Sequence, residues 1–203
     1  MKKFLYPIYA LAMLAMVSCT DDDDKVPAPE PMPTNAVSYN GKNYDIDNGT
    51  IIDWGFWENH YNYDIFLTDG IMDFENETAP GATFVIYAEL WSPGTEDFST
   101  GTFTFDDSGN TAGKRFFESL TVVIDSNNSG ELDEEDDELT AKAGTFKISA
   151  SGTRYSVEMD VMLSNNKALK GTYSGTFEKF EGTLEEMPGG RQRTKKPAKL
   201  SFK

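Results

Sequence analysis

The chain contains one cysteine and one histidine among its 203 residues. With Cys19 alone no intramolecular disulfide can form, so stability must come from burial, hydrogen bonds or a bound metal. Because His60 is the sole histidine, a metal site built from several histidines is excluded, and no second cysteine is available for a cysteine–histidine catalytic pair. The sequence therefore gives little support for catalysis, and we expect a protein that is not an enzyme.

Basic residues are also scarce. The chain has 18 lysines and arginines against 34 aspartates and glutamates, for a formal net charge of −16 at pH 7. Nucleic acids and anionic lipid surfaces attract proteins through a basic face. We therefore expect neither nucleic acid nor an anionic lipid surface as a partner.

Long apolar runs are missing outside the first residues of the chain. Lys2 and Lys3 precede an apolar run over residues 4–17, and Ser18 and Cys19 follow it. A transmembrane helix needs about 20 apolar residues, so this run is too short to span a bilayer. The pattern predicts a signal peptide over residues 1–18 that is removed before Cys19. An alternative is a secretory signal whose removal leaves Cys19 as a free thiol.

The sequence Leu-Ala-Met-Val-Ser-Cys at residues 14–19 resembles the signal of a bacterial lipoprotein, whose cysteine carries the lipid. The four aspartates at residues 21–24 resemble the surface-export tag of Bacteroidetes lipoproteins. The resemblance implies an outer-membrane protein anchored through acyl chains (palmitate) on Cys19 and exposed at the cell surface.

Composition divides the rest of the chain into three parts. Residues 19–36 are acidic and then rich in proline, which predicts a stiff, extended tether. Residues 37–184 predict one β domain, and residues 185–203 form a basic tail. The tail is expected to be solvated; the alternative is that it folds back onto the acidic loop described below.

The domain is predicted to be all-β, because short β-branched and aromatic runs alternate with glycine, asparagine and aspartate and no helical period is sustained. About ten strands in one antiparallel domain can form a flattened meander barrel, of the calycin type, or a β-sandwich. We favour the barrel. The predicted strands are residues 37–39, 43–46, 50–57, 61–68, 83–91, 101–105, 116–124, 144–149, 153–163 and 168–177.

Four turn-and-strand motifs carry a resemblance over residues 37–177. They are Tyr-Asn-Gly-Lys-Asn-Tyr at residues 39–44, Ser-Thr-Gly-Thr-Phe-Thr-Phe at residues 99–105, and Ala-Gly-Thr-Phe at residues 143–146 followed by Leu-Lys-Gly-Thr-Tyr-Ser-Gly at residues 169–175. With these motifs the domain resembles an uncharacterised class of Bacteroidetes surface lipoproteins. The resemblance implies a β fold and supplies no catalytic residue.

Residues 125–136 resemble a calcium-binding loop of the EF-hand type, with glycine at position six and leucine at position eight. Ca²⁺ prefers about six to eight oxygen ligands on a flexible turn. The flanking segments predict strands rather than helices, and the alternative is an acidic, solvated hairpin loop. The candidate side-chain ligands are Asp125, Asn127, Ser129, Asp133 and Asp136, and Glu131 would contribute its backbone carbonyl.

Aromatic residues form a second candidate site. Tryptophan and tyrosine rings stack on the apolar faces of sugars, so Trp54 and Trp57 are candidate glycan-binding residues. The alternative is that these rings pack in the core, where aromatic residues commonly lie. The aromatic residues concerned are Trp54, Phe56, Trp57, Tyr61, Tyr63 and Trp91.

These observations favour a lipid-anchored surface protein that binds a glycan or a partner protein of the outer membrane, with calcium as a candidate cofactor. Two alternatives remain open. One is an extracellular glycoside hydrolase that uses two carboxylates. The other is a lipocalin-like carrier, which would need an empty barrel interior.

Overall fold

Twelve strands make up the regular structure of the described residues, which are 34–74, 76, 78–182, 184–187 and 190–193 of the computed structural model. Ten of the strands form one mixed sheet, and the last two pair with each other. The strands are β1 (Ala36–Tyr39), β2 (Lys42–Asp45), β3 (Asn48–Trp57), β4 (His60–Thr68), β5 (Phe84–Pro93), β6 (Gly101–Phe105), β7 (Phe116–Ile124), β8 (Asp137–Ser151), β9 (Arg154–Leu163), β10 (Ala168–Glu181), β11 (Leu184–Met187) and β12 (Gly190–Arg193).

The main sheet closes into a ring. Strands β3, β4, β5, β7, β8, β9 and β10 follow one another as antiparallel neighbours. Since an odd number of alternating strands leaves the first and the last pointing the same way, β10 meets β3 in parallel, with Phe177 opposite Gly49 and Glu181 opposite Asp53. Strand β6 enters the ring between β7 and β8, parallel to β7 and antiparallel to β8. The ring therefore has eight strands.

A hairpin of β1 and β2 completes the sheet. Strand β1 pairs with the first half of β10, and β2 pairs with β1. The turn between them contains Asn40 and Gly41, whose φ angles of 50° and 79° suit an Asn-Gly hairpin turn. Tyr44 of β2 stacks on Phe84 of β5 at a centroid distance of 5.0 Å. The hairpin thus packs at the end of the barrel where β3, β5, β8 and β10 begin, which we call the upper end.

Large apolar side chains fill the barrel interior. Along β9, buried residues alternate with exposed ones, as the two-residue period of a strand requires. The bulkiest interior side chains that are almost fully buried include Phe84, Phe103, Phe117, Phe146, Ile51, Ile65, Ile86 and Leu90.

A second layer covers part of the outer wall. The connection from β4 to β5 packs Met72 and Phe74 against the outward residues of the wall, among them Phe66. Asp69 closes this connection, because its Oδ1 accepts hydrogen bonds from the backbone N–H groups of Thr83 and Phe84 at 2.9 and 3.0 Å. Strand β5 is consequently covered on both faces.

The prediction of an all-β domain of about ten strands is confirmed, and each predicted strand has a counterpart. Three features differ from the expectation. The sheet is mixed, since the β3–β10 and β6–β7 pairs are parallel. Strand β8 is much longer than the predicted residues 144–149, because its first residues pair with the end of β7. The hairpin of β11 and β12 was not expected in the basic tail.

An ion pair lies at the parallel junction of the ring. The Lys179 ammonium of β10 lies 2.7 Å from Oδ2 of Asp53 in β3, and the Asp53 side chain is only 6% exposed. Burial alone would lower the pKa of Lys179, but hydrogen bonds to Asp53 and Tyr63 raise it above the usual lysine value. Burial raises the pKa of Tyr63 to about 12. Lys179 therefore neutralises a buried carboxylate at the parallel junction of β3 and β10.

Replacing Lys179 by methionine tests the contribution of the Lys179–Asp53 ion pair to stability. Lys179→Met leaves the Asp53 charge buried and unpaired, so we expect a loss of about 2 kcal/mol in the free energy of unfolding. Removing one partner of a fully buried pair costs about 3–5 kcal/mol, and the expected loss is smaller because Lys179 is 42% exposed. Urea denaturation measures the loss.

The matched control is Lys147→Met. Lys147 pairs with Glu158 on the barrel wall, where both side chains are exposed, and such surface pairs contribute less than about 1 kcal/mol. Equal losses of unfolding free energy in the two variants would show that the Lys179–Asp53 pair contributes no more than a surface pair.

Candidate functional site

The candidate calcium loop, residues 125–136, joins β7 to β8 at the upper end of the barrel. Two anchors fix it there. The N–H of Asp125 donates to the carbonyl of Thr83 at 2.9 Å. Leu132, at loop position eight, is buried on the outer wall with Val85 and Val123. An acidic loop is thereby held against the barrel by one buried apolar side chain.

Asp125, at loop position one, organises the first half of the loop. Its side chain is buried, and its two oxygens accept the N–H groups of Ser129 and Gly130 at 3.0 and 2.9 Å. The carbonyl oxygen of the Asn127 side chain also accepts the Ser129 N–H, at 2.8 Å. The positive φ of Gly130, 89°, allows the chain to turn back at position six. The backbone thus wraps around the Asp125 carboxylate.

Asp136, at loop position twelve, closes the second half. Its Oδ1 accepts the N–H of Ser126 at 2.9 Å, and its Oδ2 accepts the N–H of Asp133 at 2.8 Å. The side-chain amide of Asn127 donates to both carboxylate oxygens of Asp133, at 3.3 and 3.1 Å. These bonds connect the two ends of the loop. The carboxylates at positions one and twelve therefore both accept hydrogen bonds from backbone N–H groups of the same loop.

The oxygens of this loop retain capacity for a cation. A carboxylate offers about four lone-pair sites, and the backbone N–H groups described above occupy two on Asp125 and two on Asp136. The Glu131 carbonyl accepts the Ser129 hydroxyl at 2.6 Å, which places these two predicted ligands side by side. Among the residues described, no group of three or more acidic, histidine or cysteine side chains is placed so that it could hold a metal ion.

A cleft of about 290 Å³ opens beside the loop. Its walls come from the β1–β2 hairpin, the β9–β10 turn and both ends of the β7–β8 connection. Sequence analysis identified the Asn-Gly turn of the hairpin but not the cleft, because only the closed ring brings residues 39–44 next to residues 125–137. Its lining includes Tyr39, Lys42 and Tyr44 from the hairpin, Lys167 from the β9–β10 turn, and Asp125 and Asp137 from the two ends of the β7–β8 connection.

The structure places Trp54 in a buried cluster on the outer wall, with 5% of the residue exposed. Its indole N–H donates to Oδ2 of Asp64 at 2.7 Å. The backbone of Gly182 lies on its ring, since a Cβ at that glycine would stand 2.3 Å from the Trp54 side chain. This position favours the alternative of core packing for Trp54.

Trp57 is half-buried at the lower end of the barrel, opposite His60 in the β3–β4 register. His60 packs edge-on against Phe116, and Trp91 stacks on the same Phe116 ring at a centroid distance of 6.1 Å. Trp57 and the calcium loop therefore belong to opposite ends of the molecule. The two predicted sites do not combine into one.

Comparisons with protein-family models, curated proteins and solved structures gave no match. No helix in the described part of the chain is long and apolar enough to cross a membrane. Residues 1–33, which include Cys19 and most of the predicted tether, lie outside the described residues, as do residues 188–189 and 194–203 of the basic tail.

Alanine substitution separates the two tryptophans. Trp54→Ala empties a buried site, so we expect the free energy of unfolding to fall by about 3–5 kcal/mol. Trp57→Ala should cost clearly less, because its ring is half-buried. Urea denaturation of both variants measures the difference. A Trp54→Ala protein as stable as the wild type would contradict its place in a packed cluster.

Proposed function

We propose that this chain is a lipid-anchored cell-surface protein that binds a ligand without catalysis and holds Ca²⁺ in the loop of residues 125–136. The observation that carries the calcium proposal is the loop conformation. Asp125 accepts two backbone N–H groups of its own loop, Gly130 takes the positive φ at position six, and Leu132 is buried at position eight. These features match what the sequence pattern requires of such a loop.

Electrostatics gives calcium a role in stability. Residues 131–138 are acidic except for Leu132, and like charges this close repel one another in the folded loop. A bound divalent cation offsets the repulsion. A hard cation prefers oxygen ligands. The proposed ligands are side-chain oxygens of Asp125, Asn127, Ser129, Asp133 and Asp136 and the backbone carbonyl oxygen of Glu131.

The anchoring proposal rests on the pattern of the first residues. Lys2 and Lys3, the short apolar run and Ser18-Cys19 support acylation of Cys19, and the four aspartates at residues 21–24 support display on the outer face of the outer membrane. The proline-rich residues that follow give an extended spacer. The β domain is then held away from the membrane surface.

Two observations favour a binding role over the alternatives. The barrel interior is filled by large side chains such as Phe103 and Phe146, whereas a lipocalin-like carrier needs interior space. In the cleft at the upper end, the Asp125 carboxylate is engaged by backbone N–H groups, which suits a structural or metal-binding role better than proton transfer in a hydrolase. The proposed partner is a glycan or an outer-membrane protein.

Calcium should raise the thermal stability of the protein. A ligand that binds only the folded state adds about 2.7 kcal/mol at a hundred times its dissociation constant, which raises Tm by several degrees for a chain of this size. Differential scanning calorimetry with and without calcium measures the shift. Magnesium should have little effect, because it requires tighter octahedral geometry and releases its water reluctantly.

Two variants locate the calcium effect. Asp125→Ala should abolish the calcium-induced shift, whatever it does to Tm without the metal. Glu134→Ala changes an exposed residue at a non-ligand position of the same loop and should keep the shift. Equal stabilisation by calcium and magnesium that persists in Asp125→Ala would mean that the loop only attracts counterions.

Membrane attachment should depend on Cys19. Cys19→Ala removes the proposed acylation site, so the protein should leave the membrane fraction and incorporate no labelled fatty acid. Replacing the aspartates at residues 21–24 with alanine should keep the lipid but protect the protein from protease added to intact cells. A Cys19→Ala protein that stays in the membrane fraction, together with wild-type protein that incorporates no fatty acid, would refute the lipoprotein proposal.

A further inference from the structure

Two ammonium groups face the cleft at the upper end of the barrel. Lys42 comes from the β1–β2 hairpin and Lys167 from the β9–β10 turn, and both line the same space of about 290 Å³. Each lies over a tyrosine ring. The Nζ atom of Lys42 is 4.6 Å from the Tyr44 centroid, and that of Lys167 is 5.8 Å from the Tyr39 centroid.

These two lysines differ from most others of the domain. Lys114, Lys147, Lys170 and Lys179 each pair with a carboxylate within 3 Å. Within the described ranges, neither Lys42 nor Lys167 forms an ion pair, although the chain has almost twice as many acidic as basic residues. A ring face stabilises an ammonium but is not a counterion in contact with it. Two ammonium groups that lack a direct ion pair at one cleft can donate to a negative group.

The cleft is built from connected, rigid parts. The side-chain amide of Asn165 donates to the Tyr39 hydroxyl at 2.6 Å, and its Oδ1 accepts the N–H of Lys167 at 3.1 Å. The turn that carries Lys167 is therefore tied to the hairpin that carries Lys42. Tyr44 is fixed in turn by stacking on Phe84. A site whose parts are held before binding loses less conformational entropy when a ligand arrives.

Two carboxylates also line the cleft. Asp137 is exposed there, whereas the two oxygens of Asp125 accept the N–H groups of Ser129 and Gly130. The charges of the two carboxylates and the two lysines balance while the loop holds no metal. A calcium ion in the loop would offset the carboxylates and leave the lysine charges dominant.

We propose that this cleft binds a carboxylate or phosphate group of the ligand through Lys42 and Lys167. The inference rests on the proposed ligand-binding function and names the chemistry of that ligand. Ammonium groups donate charge-assisted hydrogen bonds to both kinds of anion. Calcium in the neighbouring loop strengthens the binding of the anion, and by linkage the anion strengthens the binding of calcium to the same degree.

Isothermal titration calorimetry of the purified full chain at low ionic strength tests the site with three probes. D-Galacturonate carries a carboxylate, inorganic phosphate carries the other candidate group, and D-galactose is the uncharged counterpart of the first. At least one anion should bind, galactose should not, and added salt should weaken the binding because the site is exposed. The anion that binds more tightly identifies the group.

Paired variants assign the binding to the cleft. Lys42→Ala/Lys167→Ala should weaken anion binding by roughly tenfold or more for each lysine, as expected for the loss of a hydrogen bond to a charged group. Lys147→Ala/Lys170→Ala removes the same charge from the barrel wall and should bind as the wild type does. Circular dichroism checks the fold, and Lys42→Gln/Lys167→Gln replaces the first pair if it does not fold.

The outcomes separate this inference from the calcium proposal. Absence of anion binding, equal binding of galactose, or equal losses in the two double variants would overturn the anion site. Lysine-dependent anion binding that calcium leaves unchanged would support the anion site and contradict its coupling to the loop, whereas the calcium-induced shift in Tm tests the calcium proposal itself. Anion binding that calcium strengthens in the wild type but not in Asp125→Ala would support both.

Discussion

The parallel contact between β3 and β10 is the constraint on which the barrel depends. In a seven-strand antiparallel meander the first and last strands run the same way. The ring therefore closes only through a parallel pair, which is β3 with β10. The contact covers only the second half of β10, and β1 pairs with the first half. Lys179 and Asp53 add an ion pair at this junction. Closure therefore explains both the long β10 and the position of the β1–β2 hairpin, which in turn forms one wall of the cleft.

The strands could be predicted because their causes are local. Asn40-Gly41 defines a hairpin by its own φ angles, and the alternation in β9 defines a strand with one buried face. The closure could not be predicted, since it depends on the pairing of residues 49–53 with residues 177–181. The first part of β8 was missed for a related reason. Its residues 137–140 are polar or acidic except for Leu139, and their pairing with β7 holds them in a strand.

The candidate sites could likewise be predicted only where their causes lie within one segment of the chain. The candidate calcium loop could be proposed from the sequence because an ion-binding loop places its ligands at fixed spacings within one segment. In the structure Asp125 accepts two N–H groups of this loop, and Leu132 is buried. Trp54 was ambiguous because a strand does not reveal whether its outward face is covered. The β4–β5 connection covers that face. The sequence did not indicate that Lys42 and Lys167 line one cleft, because they belong to two turns that are far apart in the chain.

The upper end of the barrel concentrates features that the lower end lacks in the described residues. The hairpin, the acidic loop and the β9–β10 turn meet there, and they bring two lysines and two aspartates to one cleft. Most other lysines of the wall are neutralised by neighbouring carboxylates, as in Lys170 with Asp160. An acidic protein generally repels anions through its long-range field. Selective recognition of an anion then requires a local cation pair close to the ligand, where short-range attraction exceeds the screened repulsion of the rest.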